Sequence, residues 1–292
     1  MKLFDLHCDT LTEIFEKNEV LQKNTCHISL ENAFKTFEDY TQVLAVYSKN
    51  DLSDDENYDS FIKTIEYGKK YSDGIENFHP IYAVEGAKLL GGDIEKLKTL
   101  ASYNVKILTL VWGGECCIGG AWDTNKGLTS FGRSVVNGCY DLGIIPDLSH
   151  ASDEVFYETA EIAARRGGTI IVSHSCSREI CQHRRNITDD MARTVSDLGG
   201  IIGVNLVIDH LGGNTVDDVC AHIERFSRIA GEDKVCLGCD LDGTSPLPDG
   251  INNVGDLYKI YNLLVEKRHS QSFADAVFCS NAQKFANEHF LL

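Results

Sequence analysis

Eight short runs of β-forming residues, alternating with polar stretches, constrain this chain more than any other feature. The runs are KLFDLHCD (2–9), QVLAVYS (42–48), IYAVEG (81–86), VKILTLVW (105–112), GIIPDLSH (143–150), TIIVSHS (169–175), GIIGVNLV (200–207) and KVCLGCDLDG (234–243). Each is nearly continuous in apolar residues, as strands covered on both faces are. Amphipathic stretches lie between them: DIEKLKTLASYN (93–104), SFGRSVVNGCYDLG (130–143), SDEVFYETAEIAARRGG (152–168), TDDMARTVSDLGG (188–200) and VDDVCAHIERFSRIAG (216–231). The 152–168 stretch opens on a capping Ser152 and closes on Gly167-Gly168, the start and stop signals of a helix. Strand then helix, eight times over about 240 residues, predicts the α/β class and a (β/α)8 TIM barrel, one domain over 1–292. A doubly wound open sheet is the alternative. It usually has fewer strands and often a glycine-rich phosphate turn, and no G-x-G-x-x-G or Walker pattern occurs here.

In a barrel the chemistry sits where the strands end. The first run ends in His7 and Asp9, two apart and therefore expected on one face, with Leu6 and Cys8 on the other. The third ends in Glu85, the fifth in His150, the sixth in His174, and the eighth in Asp240 and Asp242. All are expected to project into one mouth. Each taken alone has a plainer explanation. His150, between Ser149 and Ser152, suits a core histidine or a cap partner; His174 in SHS is similar; Glu85 suits a cap; Asp242-Gly243 suits a turn. Together they are costly to bury without cations. Five ligands exceed the three that one catalytic zinc takes. They suit two divalent metal ions, most simply zinc, with Glu85 as the bridge: His7, Asp9 and Glu85 for one ion, Glu85, His150 and His174 for the other.

Composition narrows the partners. The net charge of −17 argues against nucleic acid or an anionic membrane surface. The longest apolar stretches, such as IIGVNLVI, are too short to span a bilayer. No basic-then-apolar leader precedes DLHCDT, and the 11 cysteines follow no pairing pattern, so reduced thiols in a cytoplasm are expected. Cys116 and Cys117 are adjacent with no second pair at ligand spacing, and read as free thiols.

The motifs DLHCDT, AVEGA, LTL, LTSFGRSVV, IPDLSHAS, VSHS, RRNITDD and GCDLDG resemble, in order and spacing, those of the renal (membrane) dipeptidase family, two-zinc peptidases on an amidohydrolase-like barrel. The resemblance runs essentially from end to end. It implies metal ligands at His7, Asp9, Glu85, His150 and His174, and an acid/base at Asp240. It also implies that Arg185 pairs with the substrate's terminal carboxylate, a planar fork meeting a planar anion. The expected activity is hydrolysis of dipeptides, including those with a C-terminal D-residue, by a metal-bridging hydroxide; a homodimer is implied as well.

One position departs from the pattern. The family's animal members carry a histidine after LTL that helps polarise the scissile carbonyl; here LTLVW places Trp112 there, expected to wall the substrate pocket. Other hydrolases of this barrel type, acting on N-acyl amino acids, lactones or amines, usually begin with His-x-His and often bridge with a carboxylated lysine. His-x-Asp and Glu85 favour the dipeptidase branch. A metal-binding barrel without turnover is the remaining alternative, and the presence of all five ligands and Asp240 argues against it.

Overall fold

The computed structural model describes residues 1–268 and 270–290. All eight runs form strands: β1 (Lys2–Cys8), β2 (Asp39–Tyr47), β3 (Phe78–Glu85), β4 (Val105–Thr109), β5 (Ile145–Asp147), β6 (Val172–Ser175), β7 (Ile202–Val204) and β8 (Val235–Leu237). They pair in parallel in the order β5-β4-β3-β2-β1-β8-β7-β6. The ring closes between β5 and β6, where Ile171 N–H donates to the Pro146 carbonyl at 3.1 Å and Leu148 N–H to the Ile171 carbonyl at 2.9 Å. The result is the expected (β/α)8 barrel.

The helices follow their capping chemistry. Ser130–Leu142, Asp153–Arg166, Asp189–Asp197 and Val216–Ala230 begin after Thr129, Ser152, Thr188 and Thr215, each of whose hydroxyls accepts from a first-turn amide. Such a cap contributes about 1 kcal/mol. Helix Asp54–Ser72, outside the stretches read as helical, is held by a Ser53–Glu56 capping box, a signal visible in SDDE.

One cluster fills the barrel. It takes Phe4 and Leu6 from β1, Val43 and Ala45 from β2, Ile81 and Ala83 from β3, Ile107, Ile145 and Cys236 from β4, β5 and β8, and Ile171 and Ile201 from just before β6 and β7. Phe285 and Phe290, in and just after the terminal helix Asn281–His289, join it from below.

Register shifts at three points, between β3 and β4 at Tyr82–Ala83 and at two points that bear on the site. Three residues of β1 span two of β2 between Asp5 and Cys8, and three of β6 span two of β7 between Val172 and Ser175. These bulges re-aim one side chain each. Leu6 packs in the barrel interior while Cys8 joins the outer layer, so the expectation that they share a face is corrected. His7 turns into the mouth beside Glu85.

Two glycines make room for the second bulge. A Cβ on Gly203 or Gly238 would lie 1.9 or 1.8 Å from the Ser173 carbonyl oxygen, far inside contact distance. Gly238→Ala is therefore expected to destabilise by about 3 kcal/mol or more, read as a lowered midpoint in thermal unfolding. An unchanged midpoint would show that β6 and β8 are not pressed together at this point.

Candidate metal centre

Three imidazoles converge on one carboxylate oxygen. Glu85 Oε1, at the end of β3, lies 2.9 Å from His150 Nε2, 3.3 Å from His174 Nε2 and 3.6 Å from His7 Nε2. His7 Nε2 also lies 3.7 Å from Asp9 Oδ2 and 3.9 Å from Asp240 Oδ1. The His7 and His174 rings stack at 3.7 Å, and the Nε2 atoms of His150 and His174 are 2.9 Å apart. Two sets of ligand atoms, His7–Glu85–His174 and His7–Asp9–Asp240, each fall within 4.8 Å of one another.

The local backbone delivers them. Asp240 N–H donates to the His7 carbonyl at 3.2 Å and Asp9 N–H to the Leu241 carbonyl at 3.0 Å, which ties the end of β1 to the loop after β8. His150 and Asp240 lie three residues past their strands, with φ of 66° and 60°. Left-handed backbone at a non-glycine residue costs on the order of 1 kcal/mol or more and gathers at functional sites.

Asp242 does not join them. It too has a positive φ, 69°, but its carboxylate accepts from Thr10 Oγ1 at 2.6 Å, His27 N–H at 2.5 Å and Ile28 N–H at 3.3 Å. The expectation that both aspartates of DLD enter the mouth is corrected. Asp242 has three donors from the segment that follows β1 and ties the loop after β8 to it.

The electrostatics are those of a site short of positive charge. Burial pushes the Glu85 carboxyl well above its ordinary range, and neighbouring Asp9 pushes it further. Burial also lifts Asp240 to about 7. For His7 burial pulls the other way, but Glu85, Asp9 and Asp240 outweigh it and raise the imidazole to about 10. His150 and His174 are driven well below the usual histidine range, first by burial and then by the nearby positive charges of Arg185 and His7. His7 Nε2, Asp9 Oδ1 and His150 Nδ1 are buried without a hydrogen-bond partner. Unpaired buried imidazole nitrogens and carboxylate oxygens, converging this closely, fit divalent cations.

A cavity of about 450 Å³ opens over this cluster, lined by Asp9, Glu85, His150, Arg185, Asp240 and Trp112 among others, a size suited to a small molecule. Arg185 is only 3% exposed. Its Nη2 donates to the His174 carbonyl at 2.9 Å, and its Nε and Nη1 have no partner. Trp112 is 36% exposed and packs between Tyr47 at 5.0 Å and His150 at 5.8 Å, centroid to centroid. A larger cavity of about 740 Å³, with Asp39, Phe78 and His79 in its wall, opens at the opposite end. There Asp39 is already paired with Lys2 and His79, and none of the clustered ligands reaches it.

Among the members of the upper wall that sequence reading missed are Trp122 and His210. Trp122 comes from a loop and His210 from the short helix Ile208–Leu211, and neither has a strand-end position to mark it. Burial, with Arg185 nearby, lowers His210 to about 2, so it faces the cavity neutral.

Comparison with known proteins agrees with this architecture. The family described as membrane dipeptidase (peptidase family M19) matches residues 71–289, which include β3 to β8. An uncharacterised protein from the pqqA 5′ region of Klebsiella pneumoniae is 29% identical over 213 residues, 68% of this chain and 77% of that one. Human dipeptidase 3 is 29% identical over 208 residues, 67% of this chain but 41% of its own length. A metallo peptidase from Rhodobacter sphaeroides, solved with a phosphinate mimic of the dipeptide L-Ala-D-Ala, superposes with a TM-score of 0.89 at 19% identity, covering 99% of both chains; that likeness speaks for the fold. The fold and the matched family are those of metal-dependent dipeptidases. This chain belongs to the membrane dipeptidase family, peptidase family M19.

Proposed function

We propose that this barrel hydrolyses dipeptides, those with a C-terminal D-residue included, with two zinc ions sharing Glu85. The observation that carries the reading is the single Glu85 oxygen faced by three imidazole nitrogens. His7, Asp9 and Glu85 would hold one ion; Glu85, His150 and His174 the other. When bound, the pair would activate a water and polarise the scissile carbonyl. The ligand of the Rhodobacter sphaeroides structure, a mimic of L-Ala-D-Ala, supports the substrate class.

The chain's own residues supply the rest. Asp240, 3.9 Å from His7 Nε2 at the edge of the ligand cluster, suits a group that takes a proton from the attacking water and returns it to the leaving amine. Arg185 presents two buried unpaired donors, so a substrate carboxylate would relieve its isolation and fix the reacting bond over the metals. Trp112 walls the cavity where animal members of the family carry histidine, so the carbonyl is left to the metals. The eleven unpaired thiols support a reducing, cytoplasmic setting. Among the described residues no helix is long and apolar enough to cross a membrane.

Metal uptake should release protons. Asp240 near 7 and His7 near 10 hold protons in the metal-free protein that binding must displace. Affinity should therefore fall as pH drops from 8 to 6, with proton release measured by calorimetry in buffers of different ionisation heat; pH-independent uptake would contradict this. Asp240→Asn should lower kcat by about 10²–10⁴ while metal analysis still finds two ions per chain. Arg185→Lys keeps the charge but loses the fork, and should raise KM at least about tenfold for dipeptides. An equal KM would remove Arg185 from substrate binding.

A further inference from the structure

We propose that Asp147 is a positioning residue that acts through Ser173 to fix the tautomer in which His174 offers its Nε2 lone pair to a cation. The proposal rests on the reading of His174 as a ligand.

Asp147 ends β5 and is fully buried. Oδ1 accepts from Ser149 N–H at 3.0 Å, Ser149 Oγ–H at 2.9 Å and Ser173 N–H at 2.8 Å. Oδ2 accepts from Thr109 Oγ1–H at 2.5 Å and Ser173 Oγ–H at 2.6 Å. All five contacts are donors, as an ionised carboxylate requires.

Ser173 has one hydroxyl hydrogen. The short contact to a carboxylate takes it, in preference to the 3.2 Å contact with Ser149 Oγ. Yet Ser173 Oγ also lies 2.8 Å from His174 Nδ1. With its hydrogen committed, the hydroxyl can only accept there, so Nδ1 carries the ring proton. A neutral imidazole protonated at Nδ1 is bare at Nε2, and Nε2 is the atom facing Glu85. The 2.9 Å approach of His150 Nε2 to His174 Nε2 leaves at most one of the two atoms protonated, as this tautomer allows. Ser149 completes the grip: it gives its hydrogen to Asp147 and accepts the His174 backbone N–H at 3.0 Å. One carboxylate thus holds both ring and main chain of the histidine.

A purely structural role for Asp147, pinning the ends of β4, β5 and β6, would not set a tautomer. Asp147→Asn separates the two. Its carbonyl oxygen must face the fixed N–H groups of Ser149 and Ser173, so its amide N–H₂ faces the Ser173 and Thr109 hydroxyls. Ser173 then accepts from the amide and turns its own hydrogen toward His174 Nδ1, moving the ring proton to Nε2.

The test is nitrogen-15 histidine NMR of the metal-free protein, with zinc affinity measured against a competing chelator. In the wild type His174 should be protonated at Nδ1. In Asp147→Asn the proton should move to Nε2, and zinc affinity should fall about 10–100-fold. Thr109→Val removes a donor without reversing Ser173, and should keep the tautomer and hold affinity within about twofold. Should Asp147→Asn fail to fold, Ser173→Ala removes the acceptor and should populate both tautomers. A wild-type His174 protonated at Nε2, or an unchanged tautomer and affinity in Asp147→Asn or, failing that, in Ser173→Ala, overturns the proposal. A wild-type protein with the Nδ1 proton in place that binds no zinc overturns the metal-centre reading, and with it the purpose assigned to the relay.

Discussion

A carboxylate buried at the end of β3 governs the upper half of this protein. Glu85 is 2% exposed and has Asp9 and Asp240 as acidic neighbours. Ionised in that setting, it costs several kcal/mol unless cations neutralise it. The metal-free protein answers with a proton on His7 and near-neutral titration of Asp240. That answer satisfies the charge but leaves nitrogens and oxygens unpaired. Ligands that bind the folded form alone add to its stability by mass action, so the loaded protein is the form this arrangement favours.

The barrel delivers the histidines by departing from regularity. A strict period of two would have given each strand one inward residue in every pair. The extra residues in β1 and β6 let Leu6 fill the interior and His7 reach the mouth in succession. On β6 the bulge places Ser173 against Asp147 and His174 against Glu85. His150 and Asp240 reach the site by another route, left-handed backbone just past a strand. In both cases local strain is held by well-packed surroundings, the glycine-lined contact of β6 with β7 and β8 among them.

Legibility in the sequence follows the range of each interaction. The strands could be read because burial on both faces writes a continuous apolar run, and the clustered ligands because each ends such a run. The bulges could not, because register belongs to a pair of strands and depends on the partner. Asp242 was misread because its partners, Thr10, His27 and Ile28, lie over 200 residues away in the chain. Trp122 and His210 were silent because a loop and a four-residue helix carry no readable periodicity. Asp147 was hidden in plain view: in IPDLSH it reads as a strand-ending polar residue, and only the hydroxyls of Thr109 and Ser173 reveal its partners. The Ser53–Glu56 box was local and legible, yet the stretch after it lay outside those read as helical.

The packed interior has a bearing on traffic. Phe4, Leu6, Ile81, Phe285 and Phe290 form a continuous apolar stopper beneath the ligands. Among the described residues two openings reach the ligands, one past Trp112 and Trp122 and one past Tyr47 and Lys49, both on the upper side. Under the proposed function, ions and peptides would enter from that one side, and a peptide held by Arg185 would lie over the metal positions and slow the exchange of ions beneath it.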